Sequence, residues 1–251
     1  MPLSVVLITK DAAKVLEPCL ESVLFADELL VVDCGSQDRT LEIARRFNAR
    51  TLYQSWLGYG PQKRFAVSQA THDWVLCLDA DERVTPRLRE SIQEVLRHPS
   101  RTAYRFPRRN RFLGRWLAHG EGYPDLNLRL FHRAHATWSV DPIHEKVETD
   151  EPVGLLEGDL NHESEQTLAD YLAKQNLYTT LQAERMYAAH HPIPRMRIVL
   201  SPLLRFIRFY FLRLGFLDGL PGLIHISLGA FNSFVKYAKL HAKHLESRPS
   251  G

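Results

Sequence analysis

Three acidic residues lie within four consecutive positions of the chain, at Asp79, Asp81 and Glu82. They follow residues 74–78, an apolar run with the length and composition of a buried strand. Because alternate residues at a strand end can converge on one ligand, Asp79 and Asp81 suit a hard cation and a ribose hydroxyl. Oxygen ligands of this kind favour Mg²⁺ or Mn²⁺ over zinc. The alternative is that these acids cap the helix that begins near Thr85.

A second apolar run, at residues 29–32, also ends in an acid, Asp33. This carboxylate can accept a hydrogen bond from a nucleobase N–H or a ribose hydroxyl, and Gly35 and Ser36 permit a tight turn beyond it. Asp38 is better placed to cap the next helix. Neither G-x-G-x-x-G nor G-x-x-x-x-G-K-[ST] follows a predicted strand, which disfavours a dinucleotide dehydrogenase and a P-loop enzyme.

Short apolar runs and amphipathic segments alternate over residues 1–100. The predicted strands are residues 4–8, 29–33, 50–53 and 74–78. Predicted helices begin near Leu16 and Asp38, and a third covers residues 63–70. This alternation predicts an α/β domain with a mostly parallel, Rossmann-like sheet and flanking helices. Because ligands of such sheets bind beyond the carboxyl ends of the strands, we expect both acidic strand ends to face one crevice.

The second half of the chain has a different pattern, with loops rich in Arg, Gly and His. Its predicted strands are residues 102–107, 127–132 and 137–140. A long amphipathic helix is expected at 167–189, capped by Ser164 or Thr167. We therefore predict a catalytic domain at 1–165, with a nucleotide-binding half at 1–100 and an acceptor half at 101–165. Residues 166–251 form a helical C-terminal region.

The tail at 195–245 carries eight Lys or Arg residues and a single acid, Asp218, with aromatic residues between them. A helix with basic positions and an apolar face suits a membrane interface that contains anionic lipid. We expect this tail to contact the cytoplasmic membrane surface. Gly215 and the turn at 219–222 are expected to break it into at least two helices. The alternative is a helical pair packed on the catalytic domain with its arginines facing water.

The composition, 45% hydrophobic and 24% charged in 251 residues, is that of an ordinary globular protein. Residues 97–133 hold nine arginines against Glu121 and Asp125, which suits phosphate, anionic lipid or nucleic acid. The three cysteines fit neither a disulfide framework nor a zinc site. We expect a cytoplasmic protein, since the sequence shows neither a basic leader nor an uninterrupted apolar stretch of ~20 residues.

Several segments, in order along the chain, resemble the inverting family 2 nucleotide-sugar glycosyltransferases of the GT-A fold. They are SVVLITKD at 4–11, VVDCGSQD at 31–38, QKRFA at 62–66, LDADER at 78–83, PDLNLRLFHR at 124–133, IHEKV at 143–147 and the histidine at 162. The order is similar to the branch that contains lipopolysaccharide core β-glucosyltransferases. The chain departs from the family at Asp11, where Asn is common, and at Cys34, where a second Asp is common. Both departures concern nucleotide contacts.

The resemblance implies roles for particular residues. The expected nucleotide-sugar site comprises Thr9, Asp33, Gln62, Lys63, Asp79 and Arg129. Asp81 is the expected ligand of Mn²⁺ or Mg²⁺, with His162 as a second ligand. An ordinary polar role is the alternative for His162. Arg129 or Arg133 could instead bind a phosphorylated acceptor, and an ion pair with nearby acids is the further alternative for both.

Inversion is a single in-line displacement at the anomeric carbon, so a carboxylate must take the proton of the acceptor hydroxyl. Glu145 is the expected base, because the His-Glu pair at 144–145 is a recurring element of the family branch. Asp125 is the second candidate. In the structural alternative, Glu145 pairs with one of the local arginines.

The leading hypothesis is a glycosyltransferase that moves a hexose, glucose by the resemblance, from a UDP-sugar to a lipid-linked saccharide such as the lipopolysaccharide inner core. Alternatives with the same fold use a polyprenyl-phosphate or peptide acceptor. A sugar-phosphate nucleotidyltransferase is expected to have a Gly-rich loop after the first strand. This chain has TKDA there, without a glycine, which disfavours that class. The non-enzyme alternative, a basic membrane-binding module, does not account for the acidic motif. We expect no nucleic-acid partner, because the basic and aromatic residues follow no recognised pattern.

Overall fold

Four apolar runs of the N-terminal part form parallel strands. They are β1 (Leu3–Thr9), β2 (Glu28–Asp33), β3 (Arg50–Tyr53) and β4 (Trp74–Asp79). The computed structural model describes residues 1–141, 145–163, 167–190 and 195–246. In it the four strands pair in the order β3-β2-β1-β4. β1, β2 and β4 are buried along nearly their whole length, which explains their continuous apolar sequence, since both faces of a parallel sheet are covered.

Helices between these strands pack on both faces of the sheet. They are α1 (Leu16–Glu21), α2 (Thr40–Arg46), α3 (Tyr59–Ser68) and α4 (Pro86–Arg97). Because side chains alternate along a strand, β1 contributes to two hydrophobic cores. Leu3, Val5 and Leu7 pack in the core that includes α1, α2 and α4, and Val6 packs in the core that includes α3. The predicted arrangement of a sheet between helices is confirmed.

The start of α4 decides between two interpretations of the acidic motif. Thr85 caps this helix by accepting the backbone N–H of Leu88 at 3.4 Å. Pro86 takes the first helical position, where its missing N–H has no cost. The alternative that the acids of the motif cap this helix is therefore wrong, and Asp79 and Asp81 have other contacts.

Most of the later strands extend this sheet, and two form a separate two-stranded sheet. The later strands are β5 (Glu82–Val84), β6 (Ala103–Phe112), β7 (Arg115–Trp116), β8 (Asp125–His132), β9 (Thr137–Trp138), β10 (Val147–Glu148), β11 (Gly154–Leu155) and β12 (Leu160–His162). β8 runs antiparallel to β4, with Leu130 opposite Leu76, and β6 runs antiparallel to β8. β12 runs antiparallel to β5, which places His162 opposite Glu82. β11 pairs in parallel with β6, and β9 and β10 form a separate antiparallel pair. The large sheet is therefore mixed, and its four neighbouring parallel strands, β1 to β4, belong to the nucleotide-binding half predicted from the sequence.

Contacts divide the chain into two units, residues 1–109 with 125–163 and residues 110–124 with 164–251. The second unit contains the helices α5 (Leu168–Ala188), α6 (Arg195–Ile207) and α7 (Gly219–Glu246), with a π-helical turn (Arg208–Leu212) and a 3₁₀ turn (Gly215–Asp218) before α7. Its boundary differs from the predicted one at segment 110–124. Within this unit, Asp218 is buried and accepts the backbone N–H groups of Ala118 and His119, which ties the segment to the helices.

The tail confirms one predicted helix break and corrects another. The predicted break at Gly215 is confirmed by the 3₁₀ turn that begins there. The predicted turn at 219–222 is wrong, because these residues form the first turn of α7, where Pro221 is tolerated. A Cβ atom on Gly222 would lie 2.6 Å from the carbonyl oxygen of Gly215. This glycine therefore permits close packing at the start of the helix.

Within the described parts of the chain, no single helix is both long enough and apolar enough to cross a membrane. The segments Met196–Leu212 and Gly215–Glu246 meet both conditions only as a pair, with a bend of 75° between them.

Candidate active site

Three of the predicted site residues lie at neighbouring strand ends. The register pairs Thr9 at the end of β1 with Asp33 on β2, and Ile8 with Asp79 on β4. Parallel pairing therefore brings both acidic strand ends to the same edge of the sheet, as expected.

Asp33 is almost fully buried, and its two carboxylate oxygens accept four hydrogen bonds. Thr9 Oγ1 lies at 3.0 Å and the backbone nitrogens of Gly35 and Ser36 at 2.9 and 2.8 Å, and the Ser36 hydroxyl is the fourth donor. Burial by itself would raise the pKa of Asp33, but these hydrogen bonds outweigh it and lower the pKa. The carboxylate thus fixes the turn after β2, and its contact with a nucleoside stays a prediction.

Asp79 holds two buried cations at the end of β4. Its Oδ1 atom lies 2.9 Å from Lys63 Nζ, and its Oδ2 atom lies 2.8 Å from Arg129 Nη2. Burial by itself would raise the pKa of Asp79, but the charges of Arg129 and Lys63 outweigh it and hold the pKa well below its ordinary value. The alternative interpretation of Arg129, an ion pair with nearby acids, is confirmed.

Asp81 and His162 face each other because β5 and β12 pair. Asp81 Oδ2 lies 3.2 Å from His162 Nε2. Burial would raise the pKa of Asp81, but the hydrogen bond and charge of His162 outweigh it and lower the pKa.

The donor set near Asp81 is small. Among the residues that the structure describes, no three His, Cys, Asp or Glu side chains are grouped as ligands for a metal ion. Mg²⁺ is usually held by one or two carboxylates together with substrate phosphates. The Asp81–His162 pair therefore fits a cation that binds together with a diphosphate.

Glu145 is linked to the Asp79 ion pairs through Lys63. Its Oε1 atom lies 3.2 Å from Lys63 Nζ, so the ammonium contacts both Glu145 and Asp79. The ring of Trp138 supports the two cations, with its centroid 4.6 Å from Lys63 Nζ and 5.4 Å from the guanidinium carbon of Arg129. Among the described residues the ion-pair partner of Glu145 is this lysine, so the alternative of a pair with a local arginine is wrong.

The other two predicted residues have different surroundings. Asp125, the second candidate base, forms a two-point ion pair with Arg108, at 3.0 Å to Nε and 2.8 Å to Nη2. Gln62 is fully buried and binds backbone groups of the loop after β3, donating to Gln54 and accepting from Leu57. Gln62 therefore shapes the loop beside the strand ends.

Glu82 is a site residue that the sequence reasoning missed. It is completely buried, accepts the backbone N–H of Asp79 at 2.9 Å and lies 3.1 Å from Arg129 and 3.5 Å from Arg108. A third acid directly after a buried strand was the available signal, because a carboxylate at such a position needs cationic partners.

The described residues of the first unit line two of its larger cavities. One of about 270 Å³ is lined by Lys63, Arg129, Trp138 and Glu145. The other, of about 500 Å³, is lined by Met1 and Trp74 at the amino ends of β1 and β4, away from every predicted site residue. Of these two cavities, the smaller one is lined by predicted site residues.

The mixed sheet with acids at its parallel strand ends defines a GT-A fold, and comparison with known proteins gives the family. Residues 4–144 match the family described as Glycosyl transferase family 2, which is more than half of the chain. The chain belongs to this family and is a glycosyltransferase.

Relatives that align over nearly the whole chain are also named glycosyltransferases. The chain is 29% identical to the lipopolysaccharide core biosynthesis glycosyltransferase LpsC of Rhizobium meliloti strain 1021, over 100% of this chain and 96% of that protein. It is 28% identical to the uncharacterized glycosyltransferase RT0209 of Rickettsia typhi, over 98% of this chain and 89% of that protein. Among solved structures, S. aureus TarS 1–349 in complex with UDP-GlcNAc has a TM-score of 0.52 at 13% identity, covering 100% of this chain and 93% of that fragment. This last likeness concerns the fold alone.

Proposed function

We propose that this protein is an inverting hexosyltransferase that uses a UDP-sugar donor. One observation carries the proposal. Lys63 lies 2.9 Å from Asp79 at the nucleotide-side strand end and 3.2 Å from Glu145, the proposed base. A donor diphosphate at the strand ends and an acceptor hydroxyl at Glu145 would then lie on two sides of one ammonium group, which suits an in-line displacement. The structure of TarS with UDP-GlcNAc supports a nucleotide-sugar donor.

Each charged residue has a role in this reaction. Glu145 accepts the proton of the acceptor hydroxyl while the oxygen of that hydroxyl bonds to the anomeric carbon. UDP leaves with the electrons of the broken C–O bond. Lys63 and Arg129 stabilise the negative charge on the departing diphosphate. Asp81 and His162 would hold Mn²⁺ or Mg²⁺, which neutralises more of that charge when bound. The nucleoside binds against the turn that Asp33 fixes.

The acceptor is a lipid-linked saccharide of the lipopolysaccharide inner core, and glucose is the transferred hexose. The name of LpsC, which the chain matches over its full length, supports a core saccharide. The similarity to core β-glucosyltransferases in the sequence motifs supports glucose.

The second unit is the proposed contact with the cytoplasmic face of the membrane. Apolar side chains that would normally be buried are exposed along α6, the turn that follows it and the start of α7, namely Met196, Val199, Leu203, Leu204, Phe211, Leu212 and Leu220. Arg208 and Arg213, exposed beside them, suit anionic headgroups. Arg205, which lies on the same helix, pairs instead with Glu121. An exposed apolar face of this kind marks an interaction surface.

Product analysis tests the proposed reaction. We expect the purified protein, given UDP-glucose, Mn²⁺ and core lipid from cells that lack the protein, to add one hexosyl residue in β linkage. Mass spectrometry detects the addition and NMR reports the anomeric configuration. The Asp81→Asn protein is the matched control and should yield at least about 10²-fold less product. An α-linked product, or a folded protein that consumes no UDP-hexose, would contradict the proposal.

A further inference from the structure

The cavity beside Glu145 has an excess of basic side chains. Its basic lining residues are Lys63, Arg105, Arg129 and Lys146, and Glu145 is its acidic one. Its walls come from β6, from β8 and from the chain around β9 and β10. A concave surface with this balance of charge attracts anions.

Two of the four cations are available to a ligand. Lys63 and Arg129 already pair with Asp79. The Arg105 side chain belongs to an exposed residue, and that of Lys146 is 72% exposed and lies 3.6 Å from Glu148, a separation at which exposed ion pairs contribute little. Both can turn toward a bound anion at small cost.

Arg129 carries unused hydrogen-bonding capacity. Its Nη2 atom donates to Asp79 and Glu82, whereas its buried Nε and Nη1 atoms have no hydrogen-bond partner among the described residues. Buried polar atoms are nearly always hydrogen-bonded, so an arginine that lines a cavity and keeps two unpartnered donors is suited to bind a ligand there. The planar guanidinium matches the paired oxygens of a phosphate or a carboxylate.

We propose that this cavity binds an oxyanion group, a phosphate or a carboxylate, carried by the acceptor saccharide. The inference rests on the proposed function, because Glu145 borders the cavity and a base must contact the acceptor. Arg105 and Lys146 come from β6 and from the segment before β10, whereas the donor's nucleotide is assigned to the ends of β1, β2 and β4. An anion held by Arg105 and Lys146 would therefore belong to the acceptor and place its hydroxyl at Glu145.

A binding measurement without nucleotide tests the anion site. Inorganic phosphate is titrated in EDTA into the wild type, Arg105→Ala/Lys146→Ala and the charge-matched surface control Arg45→Ala/Arg97→Ala. We expect saturable binding that weakens about tenfold in the cavity variant and by less than about twofold in the control, as for one or two lost charge-assisted contacts. Equal binding by the cavity variant and the wild type would overturn the proposal, as would no binding by the wild type.

Kinetics then tests whether the anion belongs to the acceptor. In the transfer reaction the cavity variant should raise KM for the core saccharide about tenfold while KM for the UDP-sugar stays within about twofold. Phosphatase treatment of the saccharide removes this difference if the group is a phosphate, and reduction of its carboxyl groups removes it if the group is a carboxylate. A rise in KM for the UDP-sugar instead would overturn the assignment to the acceptor. Phosphate binding that depends on Arg105 and Lys146 in a protein that transfers no sugar would support the anion site and remove the proposed function.

Discussion

Replacing Glu145 with glutamine is expected to lower kcat about 10³-fold, within the range that a positioned general base contributes. Glutamine keeps the shape of the side chain but cannot take up the proton of the acceptor hydroxyl. UDP binding should change by less than about threefold, because Lys63 still pairs with Asp79. Initial rates at saturating donor, with calorimetric UDP titrations of both proteins, measure the two effects separately.

Asp125→Asn is the matched control for this variant. Asp125 is held by Arg108 in a two-point ion pair, so its amide should lower kcat by less than about tenfold. The assignment of the base would be reversed if Asp125→Asn abolished transfer while Glu145→Gln remained active.

Arg129→Met is expected to destabilise the protein by about 3–5 kcal/mol, the usual result of removing one partner from a buried ion pair. Glu82 is completely buried and Asp79 also contacts this arginine, so two carboxylates lose a cationic partner. For a chain of this size the loss corresponds to a fall in Tm of about 10 °C. Urea unfolding and calorimetric scans measure both quantities.

Two further variants show whether the stability lost in Arg129→Met comes from the buried carboxylate charge that is left without its partner. Adding Glu82→Gln to Arg129→Met should restore part of the stability, because the neutral amide is easier to bury. Arg39→Met breaks an exposed pair with Glu42 and should leave the stability nearly unchanged, because water and salt screen such pairs. If Arg129→Met had no larger effect than Arg39→Met, the buried charge network would not stabilise the fold.

Much of the first unit could be predicted from local sequence. β3 has the predicted bounds, and α1 begins at Leu16 as expected. In contrast, α3 begins at Tyr59, four residues before the predicted start at Lys63, because Gly60 and Pro61 weaken the helical signal although Pro61 is tolerated in a first turn. Local patterns therefore predict the elements well, but helix starts that contain Gly or Pro less well.

The residues of the site could be predicted singly, but their partners could not. Lys63 and Glu145 are separated by 82 positions and meet only in the folded chain. The structural role of Asp33 was equally hidden, since its four hydrogen bonds depend on the turn that follows β2. Side-chain pairing depends on tertiary geometry, which a single sequence does not give.

The most direct test of the central claim, a metal-dependent nucleotide site at the ends of β1, β2 and β4, is a calorimetric titration with UDP. It is performed with Mn²⁺ and with EDTA, on the wild type and on Asp81→Ala. We predict roughly micromolar binding with Mn²⁺, binding at least about tenfold weaker in EDTA, and no metal effect in the variant. Binding of UDP that is unaffected by both Mn²⁺ and Asp81→Ala, or no binding by the folded wild type, would contradict the claim.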